Sequence, residues 1–154
     1  MAELKMINRT KYDTANAIIG MGEQSGGIKI AYDKYTYTAA PSDADTLLGP
    51  KLPKGARVLD VILKGTTGGG TGDYDFGWAA TLDEDGATLA ADPNGLIDNL
   101  DTSAGAAIKQ MVDDVNLAGQ FIKFGQETQT YLTFVAGPTT ATGTVEVAIV
   151  YVVD

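Results

Sequence analysis

The chain has 154 residues, enough for one domain that buries roughly 70% of the surface its unfolded form exposes, and 11 basic against 20 acidic side chains leave a net charge of −9. A surface of that sign speaks against binding nucleic acid or anionic membranes, which relies on Lys and Arg displacing counterions from phosphates. With no cysteine and no histidine there is no disulfide, no thiolate nucleophile, no zinc site of the usual ligand type and no Ser-His-Asp triad, while 19 glycines and only 20% charged residues suit a loop-rich β protein.

Residues 1–27 show little sustained periodicity and end in Gly20, Gly22, Gly26 and Gly27, so they read as an N-terminal arm ahead of a β-sandwich domain at 28–154. Its first residues mix charges and lack an apolar stretch, so no export signal is expected and the protein is expected to stay in the cell that makes it. The arm carries Leu4, Met6, Ile7, Tyr12, Ile18 and Ile19, which no sandwich strand needs, and Lys5, Arg9 and Lys11 against Glu3 and Asp13 within residues 1–20. A free arm so apolar is an aggregation hazard, which makes these six residues candidates for an interface with a neighbouring subunit or shell.

Past the arm, Ile28, Ile30 and Tyr32 alternate with polar or small residues, and the phase then slips so that Tyr35 and Tyr37 alternate with threonines. Period two predicts a strand, and the slip predicts a bulge near Asp33 or Lys34. Pro41, Pro50 and Pro53 bracket a short edge-type piece at Thr46–Leu48. Residues Ala56–Lys64 form a β-branched strand after the turn Leu52-Pro-Lys-Gly55. The glycine-rich stretch 65–73 is expected to be a flexible hairpin tip. It lacks the Gly-Lys-Ser/Thr ending of a phosphate-binding loop, and no helix pattern follows it.

Tyr74, Phe76, Trp78, Ala80 and Leu82 then alternate with smaller or polar residues, a strand that must bury three aromatics. Asp85-Gly86 and Asn94-Gly95 read as tight turns. Leu96, Leu100, Ala104, Ile108 and Met111 recur at helical spacing, so a short helix is expected within 96–112. Strands return at Gln120–Phe124, Thr128–Ala136 and Thr144–Val153. The last is apolar at Val145, Val147, Ile149, Tyr151 and Val153 and again at Ala148, Val150 and Val152, so it is expected to be central or covered by a partner, with Val150 and Val152 as further interface candidates. Its apolar run, Val147 to Val153, is far short of the roughly 20 residues a transmembrane helix needs. Seven or eight short strands with at most one short helix predict an all-β, antiparallel two-sheet sandwich of jelly-roll type.

Chemistry finds little support. The acidic clusters Asp83-Glu84-Asp85, Asp92 to Asp101 and Asp113-Asp114 lack the alternating ligand spacing of an EF-type calcium loop, and paired acids in sandwich loops are mostly turn formers, so neither calcium binding nor glycoside hydrolysis is favoured. Ser25, Ser42 and Ser103 have no recognisable base nearby in sequence. No metal, cofactor or enzymatic activity is expected. Tyr32, Tyr35, Tyr37 and Trp78 admit one alternative, a sugar-binding face on a lectin-like β-sandwich module, against which core packing competes.

Three stretches together resemble the head decoration, or capsid cement, proteins of tailed bacteriophages: Leu52-Pro-Lys-Gly-Ala-Arg-Val-Leu-Asp-Val-Ile-Leu63, Phe76-Gly-Trp-Ala79, and Thr130-Tyr-Leu-Thr-Phe-Val-Ala136 with Gly143-Thr-Val-Glu-Val-Ala-Ile-Val-Tyr-Val152. The likeness is one of pattern over residues 50–154. It implies a jelly-roll-like sandwich, made in the host cytoplasm, that assembles as a homotrimer on the capsid exterior. Such a protein bridges subunits of the major capsid protein, with no catalytic activity and no nucleic-acid or membrane partner.

Deleting residues 1–20 is expected to leave a folded β protein whose self-association or attachment to a particle is weakened severalfold. Circular dichroism with sedimentation reads both, and unfolding on truncation, or undiminished association, contradicts the reading.

Overall fold

The computed structural model describes residues 27–67, 72–114, 117–139 and 142–153. Ten strands run in chain order: β1 (Lys29–Tyr37), β2 (Thr46–Leu52), β3 (Ala56–Thr67), β4 (Asp73–Trp78), β5 (Thr81–Leu82), β6 (Thr88–Leu89), β7 (Asp92–Asp101), β8 (Ala107–Gln110), β9 (Thr128–Ala136) and β10 (Gly143–Val153). Eight of them build two antiparallel four-stranded sheets, ordered β1-β10-β3-β8 and β2-β9-β4-β7, and β5-β6 form a small separate pair. Every link between consecutive members of the eight crosses from one sheet to the other, except the link from β4 to β7, which are neighbours in one sheet with β5-β6 between them. That order is the jelly roll expected from the sequence.

Alternation explains most of the packing. On β9, Thr128, Thr130, Leu132 and Phe134 are buried and the residues between them are not. On β4, Tyr74, Phe76 and Trp78 point into the space between the sheets, where the Tyr74 and Phe134 rings meet edge to face at 5.3 Å and Trp78 meets Phe124 at 5.8 Å. From the other sheet Val61, Leu63, Val145, Val147 and Ile149 close the core. The polar ends of the rings are satisfied inside. Trp78 Nε1 donates to the Ala90 carbonyl at 3.1 Å, and the Tyr37 and Tyr74 hydroxyls lie 3.4 Å apart.

Several sequence expectations change. The phase slip in β1 produces no bulge: its register with β10 is unbroken from Lys29↔Tyr151 to Tyr37↔Gly143, and the slip reflects an edge strand exposed on both faces for most of its length. The bulge sits instead where β10 meets β3, at Val150/Tyr151. The glycine-rich stretch is not a hairpin tip, because β3 continues to Thr67 and β4 belongs to the opposite sheet; residues 68–71 lie outside those described. The alternation through Leu82 stops at Trp78, after which the chain leaves the sheet for β5.

No helix occupies 96–112. Leu96, Ile97 and Leu100 are buried residues of β7, an irregular strand whose pairing with β4 shifts twice, and only a 3₁₀ turn at Met111–Asp113 is helical. Asn94-Gly95 lies within β7 rather than in a turn, since a Cβ at Gly95 would overlap the Trp78 ring. Asp85-Gly86 does turn, between β5 and β6, with Gly86 at φ 81°. Residues 120–124 bond to the start of β3, as in Val58 N–H to the Ile122 carbonyl at 2.9 Å, but form only two isolated bridges, Arg57↔Lys123 and Asp83↔Phe124, and Phe121 at φ 61° breaks the strand geometry. Among the described residues no helix is long and apolar enough to cross a membrane.

Gly77 carries the tightest sheet contact: a Cβ there would overlap the Asp92 carbonyl of the neighbouring strand, which is backbone and cannot swing away. Gly77→Ala is therefore expected to destabilise the domain by about 3 kcal/mol or more. A denaturant midpoint close to that of the parent protein would contradict this packing.

Candidate functional site

The outer face of the β1-β10-β3-β8 sheet is organised in cross-strand rows. Lys34, Glu146, Lys64 and Ile108 form one; Glu146 lies 3.8 Å from Lys34 Nζ and 3.6 Å from Lys64 Nζ, and it accepts the Tyr32 hydroxyl at 3.1 Å. That hydroxyl holds the Glu146 carboxyl below the usual range against the opposing effect of desolvation, and the two lysines add to the lowering. Next to this row stand Tyr32, Ala148, Ile62 and Gln110, and then Ile30, Val150 and Asp60. On the other side Thr36, Thr144 and Thr66 make a row of hydroxyls.

Of the interface candidates, Leu4, Met6, Ile7, Tyr12, Ile18 and Ile19 lie outside the described residues. Val150 and Val152 share the outer face of β10. β10 is central in its sheet, as expected, but its outer face is less uniform than the sequence suggested: Thr144 and Glu146 interrupt it, and Val150 is already 6% exposed without any partner. The apolar groups that do face solvent are Ile30, Tyr32 and Ile108.

The β2-β9-β4-β7 sheet turns a different surface outward. Leu48, Tyr131 and Val135 make its apolar side, and β4 and β7 bring Asp73, Asp75, Asp98 and Asp101 to its other side. Asp75 accepts the Asn99 N–H at 2.8 Å, and partial burial lifts its carboxyl above the usual range; Asp98 and Asp73 push the same way, while the Asn99 bond and Lys109 oppose them. Elsewhere the acidic residues shape turns. Asp83 Oδ1 accepts the N–H groups of Asp85 and Ala87 and Asp101 that of Ser103, while Asp92 accepts that of Asn94 within β7. Among the described residues, no group of three or more acidic side chains is arranged to hold a metal ion.

The four aromatics of the sugar-binding alternative are not brought together: Trp78 and Tyr37 are buried, Tyr32 faces outward, and Tyr35 lies on the opposite side of β1 from Tyr32. Sequence reasoning missed a third feature. β1 and β2 are the edge strands of their respective sheets, and between them runs a groove of about 120 Å³ lined by Tyr35, Leu47, Leu48 and Gly49, with Leu63, Phe76, Leu132 and Val147 deeper in. The signal in the sequence was the phase slip between Tyr32 and Tyr35, which marks a strand with apolar residues on both faces rather than a bulge.

No protein-family profile and no curated protein matches the sequence. Solved structures do match the fold. A chain of the cyanophage Pam1 capsid asymmetric unit aligns with a TM-score of 0.53 at 21% identity, over 93% of this chain and 96% of that one. A chain of the capsid of Ralstonia phage GP4 aligns with a TM-score of 0.59 at 18% identity, over 92% and 90%. At these identities the likeness is one of fold, and it spans nearly the whole of each chain.

Burial raises the Tyr37 hydroxyl well above an ordinary tyrosine, with the Tyr74 hydroxyl beside it adding to the effect. A raised value means the folded state prefers the neutral phenol, so this contribution to stability is complete below about pH 10 and is lost as the pH rises toward the folded value. Tyr37→Phe is expected to cost about 1 kcal/mol or less at neutral pH and to flatten the loss of stability above pH 10. Denaturant midpoints across that pH range check it, and an unchanged alkaline slope contradicts it.

Proposed function

We propose that this chain is a non-enzymatic structural protein of a bacteriophage virion, seated on the capsid exterior, where it stabilises the shell by bridging subunits of the major capsid protein. The observation that carries the reading is the fold match to chains of two phage capsids across nine-tenths or more of every chain involved. The pattern resemblance of residues 50–154 to capsid cement proteins points the same way, and a homotrimer is the assembly it implies. The surfaces suit a binding role better than a catalytic one. Solvent-facing apolar residues stand beside charged rows, as interface rims and anchors require, and the described acidic loops spend their carboxylates on turns.

Bridging stabilises a shell because burial across a seam is lost only when the seam parts, so each added contact raises the cost of opening. The test uses particles of the encoding phage made with and without this protein. Purified protein is expected to co-sediment with heads that lack it, at a saturating fixed ratio, and to raise the temperature at which those heads release their genome by several degrees. Failure to bind heads, or binding that leaves the release temperature unchanged, overturns the proposal.

A further inference from the structure

The groove between β1 and β2 is the least complete part of the sandwich. Both strands end their sheets, so the groove is flanked by two backbone edges that no further described strand pairs, and Tyr35, 45% exposed, stands in its wall. Long edges bearing apolar side chains invite pairing with another chain unless something covers them. At about 120 Å³ the cavity is sized for a few side chains of an extended segment rather than for a folded partner.

We infer that the segment Leu4–Tyr12 of the N-terminal arm occupies this groove as an added strand. Its pattern fits an extended peptide on a sheet edge: Leu4, Met6 and Tyr12 stand on alternate positions, and Lys5, Arg9 and Lys11 stand between them. One face of the segment thus offers Leu4, Met6 and Tyr12 to the groove, with Asn8 and Thr10 between them, and the other carries the three basic side chains with Ile7 among them. The receiving side carries the opposite charge, with Asp33 in the groove wall and Asp43 and Asp45 just ahead of β2. Lys34 is the one cation among the lining residues, and it lies within ion-pair distance of Glu146 on the outer face.

The chain length allows it. The arm joins the sandwich at Gly27, two residues before β1, and the 17 residues from Tyr12 to Lys29 span up to about 55 Å. That reaches the groove of the same subunit or of an adjoining copy, and exchange of an edge segment between copies is a low-cost route to assembly. The inference concerns the isolated protein and stands or falls independently of the capsid reading.

The absence of cysteine makes the test clean. Tyr35→Cys places a single thiol on the groove wall, on the inward side of β1, and Val112→Cys, 46% exposed beyond the opposite edge of the same sheet, serves as the reference. In the full chain, maleimide labelling at position 35 is expected to be slow relative to position 112, and deletion of residues 1–12 is expected to speed it about tenfold while position 112 keeps its rate, which also reports that the domain stays folded. A synthetic peptide of residues 1–14 added to the truncated protein restores protection, and the full-length triple variant Lys5→Glu, Arg9→Glu, Lys11→Glu loses it. Protection that survives dilution places the segment on its own subunit and protection that fades with dilution places it on a neighbour; either supports the assignment. Equal labelling at position 35 with and without the segment, or no rescue by the peptide, overturns it.

Discussion

Burying the β4 aromatics between two sheets is the constraint on which the rest of the structure depends. Tyr74, Phe76 and Trp78 fill the space between the layers, and the backbone around them must give way. A Cβ at Gly65 would meet the Tyr74 ring at 2.7 Å and one at Gly49 would meet Phe76 at 3.1 Å, so glycines in β3 and β2 serve to let strands approach rings. The aromatic strand thereby sets where β2, β3 and β7 lie, and the threonines Thr81, Thr102, Thr128 and Thr130 finish the same interior with buried hydroxyls. Thr102 Oγ1 donates to the Gly72 carbonyl at 2.7 Å, tying the entry of β4 to the end of β7.

The same constraint explains what could be read in the sequence. Elements whose hydrophobic period agrees with their burial were legible: β9 and β10 fall within a residue of the expected limits, and β3 starts where the Pro-Lys-Gly turn places it. β7 was not legible, because its bulged course buries Leu96, Ile97 and Leu100 at spacings that imitate a helix. Gly95 misled for a related reason, since a glycine that accommodates Trp78 and a glycine that turns a hairpin look alike in one dimension. The outward candidates Val150 and Val152 were legible as apolar positions, but the burial of Val150 by its neighbouring strands depends on cross-strand pairs that no single strand reveals.

Sheet order decides what remains available for partners. Placing β1 and β2 at matching edges of the two layers leaves a groove that no described strand closes, while the far side of the β2-β9-β4-β7 sheet gathers carboxylates. A net charge of −9 spread over such a body favours solubility and steers basic partners. The proposed assembly role would use these features directly: edges that no further described strand pairs and exposed apolar side chains would supply contacts, and the charged row Lys34, Glu146 and Lys64 would limit which surfaces can approach the other face.

Under the proposed role the chain belongs to a phage virion, and a density map of that virion tests the proposal most directly. The proposed role predicts this sandwich on the outside of the head, repeated with the lattice, each copy touching at least two major capsid subunits. A virion whose shell carries no such density, or one in which the sandwich sits only on the tail, would contradict it.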